Sequence, residues 1–200
     1  MYLTKANRKG EKVMNKKTLA LTKEQYTEII KTMQEGFCGF RANKRIATAL
    51  IIEANIGIRI SDILKLKLDD IVKDGERYRL DIVEQKTNKT RTFTVPFQIY
   101  QYIENYCLKN GIAPNERIFN LTERAIQKQL KIVCDYLGIK GISTHSFRKF
   151  FATEIYKNND FNIALVQHLL QHSSATITQR YIGIEKKEIE KAIESHICLM

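Results

Sequence analysis

The sequence predicts a mainly α-helical fold with one small antiparallel three-stranded β-sheet, an α+β architecture. Three observations predict it. Apolar residues recur at helical spacing through most of the chain. One stretch, from Ile71 to Val95, switches to a period of two. That stretch also holds two turn signals, Asp74-Gly75 and Thr87-Asn88-Lys89. With 200 residues, 44% hydrophobic and 28% charged, the chain is long enough to bury one core and too apolar to stay disordered.

The elements follow in order. Lys5 to Lys17 is rich in Lys, Arg, Asn and Gly without apolar periodicity, so residues 1–20 are expected to be a flexible basic arm and 21–200 a single domain. Thr22-Lys23-Glu24-Gln25 has the form of a capping box, and Tyr26, Ile29, Ile30 and Met33 then mark one helical face. A second helix is expected from about Ala42 to Ile56, ended by Gly57, with Ser61 capping a short helix over Asp62 to Lys65. In the sheet, Tyr78, Leu80 and Ile82 alternate with Arg77, Arg79 and Asp81, and Arg91 to Val95 alternates until Pro96. Helical spacing resumes from Phe97 to Leu108, with Tyr102, Ile103 and Tyr106 inward. Further helices are expected over Thr122 to Leu137, closed by Gly138, and Thr144 to Lys157, closed by Asn158-Asn159. Three more follow: Asn162 to Leu170, Ser174 toward Tyr181, and Lys186 to Ile197. Phe147, Phe150 and Phe151 read as an inward stripe.

Charge narrows the partner class. The formal net charge of +11 makes an extended polyanion the natural partner, nucleic acid before an anionic membrane surface. No apolar run approaches the roughly 20 residues that span a bilayer, and Met1 to Lys5 lacks the apolar stretch of a secretory signal, so a cytoplasmic protein with no membrane partner is expected. Cys38, Cys107, Cys134 and Cys198 stand far apart without a C-x-x-C pair and are expected to be reduced, mostly buried thiols. His168 and His172 have the spacing of H-E-x-x-H, but Leu169 stands where that pattern has Glu, so no metal is expected.

The chemistry-bearing residues form an ordered set. Ile56-Gly57-Ile58-Arg59-Ile60-Ser61-Asp62 comes first. Thr144-His145-Ser146-Phe147-Arg148-Lys149 follows, with His145 and Arg148 on one helix face near its N-terminus. Leu170-Gln171-His172-Ser173 and Thr178-Gln179-Arg180-Tyr181 complete it. From about Leu21 to the C-terminus this resembles the catalytic domain of the tyrosine recombinase (phage integrase) family. That family has an arginine after a helix-ending Gly, a lysine on a β-hairpin, an H-x-x-R helix start, a second His or Trp, and a tyrosine. The resemblance implies those roles for Arg59, Lys86, His145, Arg148, His172 and Tyr181, with Asp62 as the acid behind the first arginine, holding a catalytic side chain in place. It implies site-specific recombination through a covalent 3′-phosphotyrosyl intermediate, with no cofactor, on double-stranded DNA. It also implies a homo-tetramer on paired sites, with the segment 186–197 exchanged in trans.

The residue types suit that reaction. Attack of a phenol on a phosphodiester builds negative charge on the non-bridging oxygens, which two guanidiniums, Arg59 and Arg148, can grip with forked hydrogen bonds. The phenol of Tyr181, with a reference pKa of about 10, must lose its proton as it attacks, and His145 is the candidate acceptor. The leaving sugar oxygen needs a proton from a general acid. Gln85-Lys86-Thr87 best resembles the family's hairpin, and Lys89 on the same turn is the alternative. His172 would bond the phosphate or place Tyr181. Lys65, Lys67, Lys89, Arg91 and Lys149 are expected to contact DNA, with a solvated face as the plain alternative. Family members commonly carry an additional N-terminal domain that closes over DNA, where this sequence has the basic arm. A fragment or a minimal enzyme with weak binding alone is therefore expected. A type IB topoisomerase-like relaxase and a non-catalytic DNA-binding regulator are the competing readings.

Overall fold

The computed structural model describes residues 18–83, 90–170 and 172–182, the side chain of Arg91 excepted. Its helices begin where the sequence supplies an oxygen for the first free amides. Helix α1 (Lys23–Glu35) starts at the expected capping box, Thr22 Oγ1 accepting from the Gln25 amide and Gln25 Oε1 from the Thr22 amide. Helix α2 (Lys44–Ile56) starts two residues later than expected because Asn43 Oδ1 accepts from the Ile46 amide, and it ends at Gly57 in the left-handed conformation, φ 72°. Helix α3 (Ile60–Ile63) is also displaced: Arg59 is its N-cap, and Ser61 lies inside it instead of capping it.

After a 3₁₀ turn (Leu68–Asp70), strands β1 (Ile71–Asp74), β2 (Arg77–Val83) and β3 (Thr90–Val95) form the antiparallel sheet in the order β1-β2-β3. The register pairs Leu80 with both Ile71 and Phe93, which stacks three buried residues on the core face. Helix α4 (Phe97–Asn110) follows Pro96, with Ile103 and Cys107 fully buried and Tyr102 and Tyr106 half-buried. Helix α5 (Glu123–Tyr136) is capped by Thr122, and helix α6 (Thr144–Asn158) begins at Ser143, whose amide bonds Ser146 Oγ. The turn out of α6 is made by Asp160 and Phe161, both at positive φ, and not by Asn158-Asn159 alone. Asn162 then caps α7 (Ile163–Leu170), and Ser174 caps α8 (Ala175–Ile182).

Helix α2 runs through the middle of the main core. Ile46, Ala47, Leu50, Ile52 and Ile56 are buried on it, with Ile29 and Met33 of α1 and Phe147 of α6 in the same cluster. The aromatic stripe on α6 faces inward as expected: Phe150 stacks on Tyr26 and Phe147 meets the same ring edge-on. A second, smaller core of Ala152, Val166 and Leu170 lies under α8, with Tyr181 and Ile182 packed on it. Of the four cysteines, Cys107 and Cys134 are buried thiols, but Cys38 is exposed, because the turn that follows α1 carries it to the surface; Cys198 lies outside the described residues. Residues 18–20, assigned to the arm by composition, are tied to the domain, since the Leu19 amide bonds the Gly141 carbonyl at 3.2 Å. The helix expected over Lys186 to Ile197 lies outside the described residues. Among those residues no helix is long and apolar enough to cross a membrane.

One glycine sets the distance between α2 and α6. A Cβ on Gly57 would lie 2.2 Å from the Phe151 ring, and the positive φ would strain it as well. Gly57→Ala should therefore lower unfolding stability by about 2–4 kcal/mol, strain and overpacking together, as read by urea denaturation. Gly75→Ala, with open space around a similar φ, should cost only about 1–2 kcal/mol.

Candidate active site

Two residues after α2 ends, Arg59 occupies extended backbone, φ −71° and ψ 147°, and its side chain lines a cleft of about 350 Å³ with Glu53, Ser61, Glu123 and His145. Asp62 is buried beside it, its amide bonding the Arg59 carbonyl at 2.9 Å. From α6 come His145, exposed at the cleft, and Arg148, only 1% exposed. The i, i+3 spacing puts both on one face at the helix N-terminus, where unpaired amides and the helix dipole favour an anion.

Tyr181, near the end of α8, is packed among these groups. The rings of His145 and His172 both meet it edge-on at 5.1 Å between centroids, and Lys149 Nζ lies 5.3 Å from the ring centre. Its hydroxyl is buried, and burial pushes the phenol up to about 12; the charge of Arg148 pulls the other way, Glu53 adds to the rise, and Arg59 opposes it. The phenol is thus neutral at ordinary pH and surrounded by the groups that would favour its ionised form.

His172 is fixed from two sides. Its Nδ1 is 3.0 Å from Thr178 Oγ1, which in turn donates to the Ser174 carbonyl at 3.4 Å. Its backbone is clasped by Gln167, whose carbonyl accepts from the His172 amide and whose side-chain amide donates to the His172 carbonyl. Such outer contacts set the ring's orientation.

The structure therefore brings Arg59, Asp62, His145, Arg148, His172 and Tyr181 together from three separate stretches of sequence. Lys86 and Lys89 lie outside the described residues, between strands β2 and β3. Arg91 has its backbone in β3 opposite Ile82; Lys65 is exposed and Lys67 half-buried, its amide bonding Asp70 Oδ2. Lys149 is not on the surface as expected: it is 8% exposed, and its ammonium donates to the Thr18 carbonyl while lying over the Tyr181 ring. A larger cleft of about 1280 Å³, lined by Arg41, Lys44, Arg45, Tyr102 and Lys109, opens at the other end of α2. At 1.5 Å per residue the two ends of the 13-residue α2 lie roughly 20 Å apart.

Sequence reasoning missed Glu53, Thr178 and Gln167. Glu53 had a signal, a carboxyl directly after the apolar run Ala49 to Ile52 on a mostly buried helix. Thr178 and Gln167 had none, since both act through local hydrogen bonds that only the turn between α7 and α8 creates.

The phage integrase family profile matches residues 20–188. A probable integrase/recombinase, YoeC of Bacillus subtilis, is 33% identical over 72% of this chain and 80% of its own length. The tyrosine recombinase XerA of Pyrococcus furiosus is 27% identical over 94% of this chain and 67% of its own. XerC of Caldanaerobacter subterraneus is longer still, and the chain spans 50% of it. Among solved structures, the XerH site-specific recombinase in a post-cleavage complex with its palindromic difH substrate superposes with a TM-score of 0.68 at 21% identity, covering 90% of this chain and 53% of that one. The catalytic domain of bacteriophage HP1 integrase gives 0.61 at 19% identity and covers 90% and 96%.

The burial of Tyr181 yields a direct spectroscopic expectation. Up to about pH 11, the parent and Tyr181→Phe should gain the same absorbance at the phenolate band near ~295 nm, because Tyr181 is still protonated where free tyrosines have ionised. An excess in the parent with a midpoint near ~10 would show a solvent-exposed phenol.

Proposed function

The chain belongs to the phage integrase family, and from that membership we propose that it is a site-specific DNA recombinase that cleaves and rejoins strands through a covalent 3′-phosphotyrosyl intermediate on Tyr181. The observation that carries the reading is the packing of the Tyr181 phenol between the rings of His145 and His172, beside the buried guanidinium of Arg148.

The steps follow from the side chains. A scissile phosphate enters the cleft and takes forked hydrogen bonds from Arg59 and Arg148, which hold it and stabilise the charge that grows on its oxygens. The Tyr181 oxygen attacks phosphorus as its proton passes to His145; a new P–O bond forms, and the bond to the 5′ oxygen breaks. That oxygen takes a proton from Lys86, or from Lys89 on the same hairpin. One phosphodiester is exchanged for another, so no ATP is consumed, and a 5′ hydroxyl from a second strand reverses the step to rejoin. With two fixed arginines to neutralise the phosphate, the chemistry needs no metal. His172, held by Thr178, supplies a further hydrogen bond or keeps Tyr181 in place. The buried position of Lys149 suits it to the nucleophile's surroundings rather than to a distant phosphate. Exchange between two DNA duplexes calls for several copies, and we assign a tetramer on paired sites, with residues 186–197 reaching a neighbour. Work on DNA in this form places the protein in the cytoplasm.

Two experiments check this. Incubated in EDTA with nicked or supercoiled DNA, the protein should remain bound to DNA after denaturation, and Tyr181→Phe should not. An active Tyr181→Phe or a requirement for metal would overturn the mechanism. A parent with no adduct on any DNA would favour a non-catalytic binder, and relaxation of a circle with no second site a topoisomerase-like enzyme. On the same substrate Lys86→Ala should slow cleavage by about 10²–10⁴-fold, the usual loss for a general acid, while Lys89→Ala changes it little. The reverse ranking would transfer the role to Lys89.

A further inference from the structure

The reaction above gives no step to Lys149. A lysine normally keeps its ammonium in water, whereas this one is 8% exposed. Its Nζ donates to the Thr18 carbonyl at 2.6 Å and lies over the Tyr181 ring, 5.3 Å from the centre, within reach of a cation–π contact. The carbonyl is held in turn. The next amide, that of Leu19, donates to the Gly141 carbonyl at 3.2 Å, in the loop that leads into α6. Residues 18 and 19 therefore form a strap, fixed against the start of α6 at one end and joined through Lys149 to the tyrosine at the other. Tyr181 needs such support: it stands one residue from the end of α8, an eight-residue helix whose one buried residue is Thr178.

We propose that Lys149 is a positioning residue for Tyr181, held over the ring by the Thr18 carbonyl, so that the segment by which the chain enters the domain sets the place of the nucleophile. The proposal rests on the phosphotyrosyl reading of this site. A buried ammonium needs an acceptor, and the strap supplies one without cancelling the charge, as a carboxylate would. The cation then acts on the ring in two ways. In the resting protein it holds the ring by its face. As the phenol gives up its proton, negative charge spreads into the ring and the attraction grows, so the contact is stronger in the transition state than before it.

The test measures the rate of covalent adduct formation at saturating DNA, with DNA affinity measured apart. Lys149→Met, which keeps an unbranched stem and loses the charge, should be about tenfold or more slower at unchanged affinity, the scale of a desolvated cation–π contact. Lys149→Arg keeps a cation for both the carbonyl and the ring and should stay within about threefold of the parent. Leu19→Pro removes the amide that ties the strap to Gly141, at a position 53% exposed, and should slow the reaction in the parent but add nothing to Lys149→Met. A Met variant as fast as the parent, an Arg variant as slow as the Met variant, or a Leu19→Pro without effect would overturn the proposal. A second measurement uses no DNA. In a cycle of thermal unfolding with Lys149→Met, Tyr181→Leu and the double variant, the effects should be clearly non-additive. Additive effects would refute the contact even if the parent failed to cleave, so failure of the contact and failure of the phosphotyrosyl reading are told apart.

Discussion

The site depends on the burial of Arg148 where α6 packs on α2. A guanidinium at 1% exposure has lost its water, so every charge that approaches it is felt strongly. On the proposed reading this suits the residue to a phosphate, and it is also a liability, because a buried charge destabilises a fold unless it is compensated. The surrounding architecture answers that need. Gly57 lets α6 approach α2 closely, and the buried carboxyl of Glu53 lies within electrostatic reach of the guanidinium. Arg59 is set on the other wall of the cleft by the same left-handed turn that ends α2. One backbone turn thus fixes both the spacing of the two helices and the position of the second arginine.

The nucleophile is held by different means. Arg148 and Arg59 are anchored to the main core, through Phe147 on one side and Ile58 and Ile60 on the other. Tyr181 rests on the smaller cluster of Ala152, Val166 and Leu170. Each fully buried aliphatic side chain contributes about 1.5–3 kcal/mol, so a segment supported by few of them opens locally at less cost than α2. A rigid half that carries Arg59 and Arg148 and a tyrosine-bearing half that is easier to displace suit the proposed reaction, in which the nucleophile advances on phosphorus and is later released.

How much of this was legible in the sequence depends on whether the determinant is local. The capping box at Thr22, the helix stop at Gly57 and the alternation through Leu80 name their own structures, because caps and periodicity act over a few residues. Asn43 took the start of α2 and Arg59 that of α3, since the tertiary course of the chain decides which of several adjacent residues leaves helical backbone. Order along the chain was enough to bring together Arg59, His145, Arg148, His172 and Tyr181. It was not enough for Lys149, whose position on the buried side of α6 is decided by the Thr18 carbonyl, 131 residues away. The roles of Thr178 and Gln167 were likewise invisible, because a threonine and a glutamine acquire them only when the α7–α8 turn folds the histidine back onto them.

The high pKa of Tyr181 bears on the timing of the reaction. A phenol pushed up to about 12 is not a preformed phenolate, and in the proposed reaction a DNA phosphate arriving beside it adds negative charge and raises it further. The two arginines cannot activate it beforehand, since the phosphate claims their charge as it binds. The proton must therefore leave as the new P–O bond forms, when the phenol oxygen is becoming an ester oxygen and its basicity is falling. The proposed reading therefore needs an acceptor beside the phenol oxygen, and the nearby ring of His145, edge-on to Tyr181 at 5.1 Å between centroids and open to solvent, is its candidate. On the proposed reading, Tyr181 becomes reactive only against a phosphate already held by Arg59 and Arg148. In the proposed reaction, the same burial that makes the tyrosine a poor acid confines its reactivity to a bound backbone.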